Sequence, residues 1–271
     1  MFKNFDATYT PTTLNEIVFA KDCDRDLIEA CVDGSIGFPC SGRNGILLYG
    51  IPGTGKSALA KILPDLIEQK HSNCTAAELY VNVQNGDGGA ELIKNINAQL
   101  LTYPLASEFH YIVLDEVDNL TRIAMQNLKS TMNVGVKTAI FILTTNHHNK
   151  IEAGVKSRCH QIEFPALNAT AWLPLFKRIL ADYNVIGYPD KELLPIIASC
   201  NSDCRDILLA AQSLILRTYR NRGISTKAKS PNAVLAPHVV LEPIVIDQNA
   251  SLPSVITVPT TPSTVYSAIK M

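Results

Sequence analysis

The chain has 271 residues, a mass of 29.6 kDa, a net charge of −1 and a mean hydropathy of +0.10. A hydrophobic fraction of 46% against 18% charged residues excludes a disordered chain. Near-neutrality excludes a uniformly basic, nucleic-acid-coating surface, so any such contact must come from a local patch. No apolar run reaches the ~18 residues of a membrane span. The first residues, MFKNFD, carry Asp6 and no apolar h-region, which predicts a cytoplasmic chain without a signal peptide.

The chain order is that of an α/β protein. Short apolar runs at 46–49, 79–83, 111–114, 139–143 and 161–164 alternate with amphipathic stretches at 57–69, 90–101 and 121–132. Strands of four to six residues alternating with helices predict a five-stranded parallel sheet covered on both faces, over residues 1–165. From 166 to 224 the strands stop. Helical periodicity at 169–183, 191–200 and 203–219, with Asn168 or Thr170 and Ser202 available as caps, predicts a small all-helical second domain. Residues 225–271 hold six of the fifteen prolines and predict a flexible Pro/Ser/Thr-rich tail, with addition to a partner's sheet edge as the alternative.

Seven cysteines, at 23, 31, 40, 74, 159, 200 and 204, are scattered and never spaced C-x2-C. Cys200 and Cys204 share a helix face, and Cys159-His160 follows His147-His148, which leaves a zinc site conceivable. Buried free thiols in a reducing compartment are the simpler expectation.

Gly50-Ile51-Pro52-Gly53-Thr54-Gly55-Lys56-Ser57 matches G-x4-G-K-[ST] between a predicted strand and a predicted helix. The glycines let the backbone curl so that successive N–H groups face phosphate oxygens, backed by the helix N-terminus. Lys56 is then expected on the β- and γ-phosphates of ATP, and Ser57 on Mg2+. The apolar run 112–114 ends in Asp115-Glu116. Asp115 is the expected Mg2+ partner, and Glu116, pointing the other way along the strand, the residue that polarises the attacking water. An apolar run ending in Asp-Glu is also an ordinary strand exit; the phosphate loop upstream tips the balance. Asn146, at the end of another strand, is placed to hold a water, although asparagines are common in strand-ending turns. Arg158 and Arg205 are, taken singly, solvated surface residues.

In order, these motifs resemble an AAA+ ATPase of the clamp-loader group, such as phage clamp-loader subunits and the small subunits of replication factor C. Asp115-Glu116-Val117-Asp118-Asn119-Leu120 and then 125–132 resemble that group's strand and following central helix. Thr145-Asn146 and Lys156-Ser157-Arg158-Cys159 resemble its sensor-1 and S-R-C motifs. Tyr80-Val81-Asn82 with 91–94, and Tyr9-Thr10-Pro11 with 14–18, resemble further segments over roughly residues 8–215.

The resemblance implies a P-loop AAA+ three-layer domain with a helical lid. It implies Tyr9 and Val18 against adenine, Arg158 as an arginine finger acting in trans, and Arg205 as the sensor-2 arginine. It further implies a ring of AAA+ subunits, a sliding clamp as cargo, and primer–template DNA near Lys94, Arg122 and Lys129. The basic run Arg217, Arg220, Arg222, Lys227 and Lys229 sits at a predicted helix C-terminus, where the helix dipole favours cations anyway, and DNA contact is the lesser reading there.

Three features depart from the pattern. Tyr9-Thr10-Pro11 lacks the arginine of Y-R-P, Ser202 replaces the sensor-2 glycine, and residues 225–271 do not read as the group's helical collar. The alternative functions are therefore a stand-alone AAA+ remodelling ATPase acting on a protein, or an ATP-binding structural subunit; an intact Asp115-Glu116 pair and Asn146 speak against the latter.

Overall fold

A computed structural model describes residues 2, 4–39, 42–72, 76, 78–83, 89–104, 107–135 and 137–222, all within one compact unit, Met1–Asn232. The tail at 225–271, Cys40, Cys74, Lys227 and Lys229 lie outside the described residues.

The elements run α1 (Phe5–Thr8), α2 (Asp22–Val32), β1 (Gly45–Gly50), α3 (Lys56–His71), β2 (Glu78–Asn82), α4 (Ala90–Leu100), β3 (His110–Asp115), α5 (Arg122–Val134), β4 (Ala139–Thr145), α6 (Ala153–Lys156), β5 (Cys159–Phe164), α7 (Ala169–Asp182), α8 (Asp190–Ala198) and α9 (Cys204–Asn221). The five strands pair in parallel in the order β2-β3-β4-β1-β5. Each expected strand is present; four are extended by one or two residues beyond the apolar run, and the second is shifted to Glu78–Asn82, leaving Val83 outside it. Helix α2 has no counterpart in the sequence pattern. Its apolar stripe is short, Leu27-Ile28 and Cys31-Val32, behind a run of acids.

Alternating side chains of each strand enter opposite cores, which is why the strands read as unbroken apolar runs. On one face Ile46, Leu48, Val113 and Ile142 pack against Ile28 of α2 and Leu59 and Leu63 of α3. On the other, Leu47, Ile112, Leu114 and Phe141 pack against Ile93 of α4 and Leu128 and Met132 of α5. Parallel strands joined through helices bring all their carboxyl ends to one edge, where ligand crevices of such sheets lie.

A third core joins α7, α8 and α9 through Trp172, Phe176, Ile197, Ile207 and Ile215. Phe5 and Tyr9, although far away in sequence, belong to this core. Helix α9 is capped by Asp203, whose carboxylate accepts from Arg205 N at 2.8 Å, rather than by the expected Ser202. Ser202 instead sits at φ +66° and accepts from Leu167 N at 2.9 Å and Trp172 Nε1 at 3.0 Å. Those two bonds offset the strain of a left-handed serine and tie the start of α7 to that of α9.

Phe141→Ala removes a fully buried ring from the central strand. It is expected to cost about 3–5 kcal/mol, read as a lower urea midpoint in equilibrium unfolding.

Candidate nucleotide site

The loop between β1 and α3 takes its shape from close approach on two sides. Gly50 has φ +139°, and a Cβ there would collide with the Phe164 carbonyl of β5, to which Ile51 N donates at 3.1 Å. Gly53 has φ +75°, and its missing Cβ leaves the space taken by the Asp203 carboxylate. Its carbonyl accepts from Cys204 N at 2.8 Å. The loop is thus held between the sheet and the first turn of α9. Thr54 closes it from within, its hydroxyl donating to Ile51 O at 2.9 Å. Gly55 precedes α3, whose unpaired first-turn N–H groups are a ready anion site.

Lys56 is buried, and Nζ donates to Gly50 O at 3.1 Å and to Ile51 O. Burial pulls its pKa down to about 8; the nearby Asp115 carboxylate opposes that shift and Arg205 adds to it. Next to it, Ser57 Oγ donates to Asp115 Oδ1 at 2.8 Å. Thr144 Oγ1 donates to the same oxygen, and Tyr80 OH donates to Oδ2 at 2.8 Å. Burial, followed by the Asp115 hydrogen bond, holds the Tyr80 phenol well above its ordinary pKa.

Strand β3 stops at Asp115. The following residue, Glu116, sits in the left-handed region at φ +59°, its N–H on Thr144 Oγ1 at 3.0 Å. Strand alternation therefore does not set its direction, contrary to expectation; a left-handed turn does, and it lines the same cavity as Asp115. Asn119 Nδ2 donates to Glu116 Oε2 at 3.2 Å and to Val83 O at 2.8 Å. Asn146 follows the last residue of β4 and lines the cavity too.

That cavity measures about 600 Å3 and takes in Pro52, Gly53, Thr54, Gly55, Lys56 and Ser57 at one end. Arg205 overlooks it from α9. At its other end stand Tyr9, Pro11, Ile17 and Val18. Two polar contacts fasten this segment to α7: Tyr9 OH donates to Asp182 Oδ2 at 3.0 Å, and Arg178 pairs with Glu16 at 2.9 Å. Gly50 is not a lining residue; it shapes the loop from behind.

Arg158 lies outside the cavity. Its guanidinium donates to Asn133 Oδ1 at 2.7 Å, Gly154 O at 2.7 Å and Ser157 Oγ at 3.3 Å, all neutral oxygens. Lys94 and Arg122 are exposed on α4 and α5, whereas Lys129 is partly engaged, 3.7 Å from Glu152. Among the described residues, no three His, Cys, Asp or Glu side chains gather as a metal cluster. The described residues also include no helix long and apolar enough to cross a membrane.

Sequence patterning missed Tyr80 and Thr144 as partners of Asp115, and Asn119 as a partner of Glu116. The pairing register puts Asn82 opposite Asp115 and Tyr80 opposite Val113, so Tyr80 lies one same-face step back and reaches along the strand. That register is a tertiary fact with no local signal.

Residues 46–166, which hold the sheet and its glycine-rich loop, match the family described as "ATPase family associated with various cellular activities (AAA)". This stretch is similar to AAA ATPase domains. Its curated relatives include the replication factor C small subunit of Methanocella arvoryzae, 32% identical over 165 residues, covering 60% of this chain and 48% of the relative. The probable replication factor C subunit 2 of Dictyostelium discoideum is 25% identical over 245 residues, covering 90% and 68%. Replication factor C subunit 3 of Oryza sativa is 29% identical over 171 residues, covering 62% and 47%. The chain thus spans about half to two-thirds of the length of these relatives. Among solved structures, the Thermotoga maritima RuvB Holliday junction branch migration motor shares the fold at TM-score 0.58 and 13% identity, covering 79% of this chain and 72% of that one.

With Lys56 charged only below about pH 8, affinity for inorganic triphosphate should fall as pH rises from 7 to 9, by up to about tenfold per unit. Lys56→Met should bind weakly with a flat profile; calorimetric titration at several pH values measures both.

Proposed function

We propose that this chain binds and hydrolyses ATP, and that it works as a clamp-loader-like subunit in a ring of AAA+ subunits that places a sliding clamp on primed DNA. The observation that carries the reading is the convergence of Lys56, Ser57, Asp115, Glu116, Asn146 and Arg205 on one cavity. The volume suits a nucleotide, and the shared similarity to replication factor C subunits supports the choice of machine.

In this reading the loop N–H groups and the start of α3 bind the β- and γ-phosphates, with Lys56 supplying a positive charge. Ser57 and Asp115 fit Mg2+, since both present oxygen donors at the phosphate end of the cavity, the ligand type a hard cation takes. The ion supplies neutralisation of phosphate charge when bound. Glu116 orients and deprotonates the attacking water, and Asn119 keeps its carboxylate turned to the site. Asn146 holds the water from the neighbouring strand. Tyr9 and Val18 flank the base, and Arg205 links the phosphate end to α9.

Arg158 serves a neighbouring subunit. It stands outside its own cavity with its charge bound only by neutral oxygens, and such a finger contributes ~10³–10⁵ in rate. Lys94 and Arg122 offer free cations for DNA, Lys129 a weaker one because of Glu152. The intracellular, cytoplasmic setting follows from this replication role.

Steady-state ATPase assays with and without primed DNA and a sliding clamp test the reading. Stimulation by both is expected, whereas DNA-independent turnover points to a remodelling ATPase. Arg158→Ala should keep ATP affinity and lose turnover by at least about a hundredfold; unchanged hydrolysis would sink the trans role.

A further inference from the structure

Asp115 is almost fully buried, at 5% exposure, and both of its carboxylate oxygens are taken by side-chain hydroxyls. Ser57 and Thr144 share Oδ1, while Tyr80 holds Oδ2 at 2.8 Å. The three donors come from three different elements, α3, β4 and β2. Ser57 spends its proton on Asp115 and keeps its oxygen lone pairs, the donor type a hard cation would take. Thr144 also carries the N–H of Glu116, at 3.0 Å, and so serves two masters. Tyr80 has no second acceptor among its hydrogen bonds here. Lys61 Nζ stands over the Tyr80 ring, 4.9 Å from the centroid.

From this arrangement we propose that Tyr80 is a positioning residue for divalent-cation binding: its hydroxyl fixes the plane of the Asp115 carboxylate so that Oδ1 faces the cation beside Ser57. Without the phenol, Oδ2 becomes a buried carboxylate oxygen with no donor, and the carboxylate rotates to find one. Carboxylates that hold metals depend on such partners, whose removal costs roughly tenfold or more in metal affinity. The inference rests on the reading of Ser57 and Asp115 as the Mg2+-holding pair.

The test is a Mn2+ titration of the full chain with ADP, followed by electron paramagnetic resonance, beside ADP binding in EDTA. Tyr80→Phe keeps the ring and loses only the hydroxyl. Its Mn2+ dissociation constant should rise about tenfold while metal-free ADP affinity stays at the wild-type value. In an Asp115→Asn background the same change should leave Mn2+ affinity unaltered, because the carboxylate it orients is gone. Equal Mn2+ affinity in wild type and Tyr80→Phe overturns the proposal. So does a parallel fall in metal-free ADP affinity, or an equal loss in both backgrounds, since either marks a packing defect. Failure of the wild-type chain to bind ADP at all overturns the nucleotide reading itself, a result distinct from the others.

Discussion

Two backbone hydrogen bonds hold the phosphate loop, one from each side, and the site depends on them. Ile51 N meets Phe164 O on β5, and Cys204 N meets Gly53 O from the start of α9. The first fixes the loop to the sheet, and the second makes the helical bundle a wall of the same cavity. Gly50 stands where the Phe164 carbonyl leaves no room for a Cβ, and Gly53 where the Asp203 carboxylate leaves none. The glycines therefore serve packing as much as phosphate access.

Electrostatics at the loop follow from that burial. Lys56 sits where desolvation works against its charge, while Asp115 partly compensates. A polyanion entering the cavity reverses the balance, since it supplies the opposite charge that burial denies the ammonium. Asp115 is handled differently. It is surrounded by neutral hydroxyl donors, whose hydrogen bonds hold its orientation. One end of the site is thus poised for an anion and the neighbouring end for a cation.

The parts legible in the sequence are those whose signal is local. The phosphate loop, the apolar strands and the acidic pair announce themselves because glycine placement and apolar runs are set within a few residues. Helix α2 escaped because only four of its side chains are apolar enough to mark its inner face. Ser202 was legible as a helix cap by residue type, yet its left-handed backbone turns the hydroxyl toward Leu167 and Trp172 and leaves capping to Asp203. Tyr80 and Thr144 were illegible as partners of Asp115 because strand register, not sequence distance, brings them together. Glu116 shows a further limit: alternation predicts direction only while the strand lasts, and this one ends a residue earlier.

The division of the cavity between two cores has a mechanical consequence. Its phosphate end is carried by β1, β3 and β4, which belong to the sheet cores. Its other end is carried by the N-terminal segment, where Phe5 and Tyr9 are buried among the side chains of α7, α8 and α9. Asp182 and Arg178, one turn apart on α7, fasten that segment to the bundle through Tyr9 and Glu16. Ile17, only a few residues on, is already part of a sheet core. The chain between Tyr9 and Ile17 is therefore the strap by which bundle and sheet share one cavity. A ligand touching both ends adds contacts across that junction, and its binding energy depends on the distance between the two cores. Any shift of the bundle relative to the sheet is felt at Gly53, held by α9, and at Tyr9, held by α7, together.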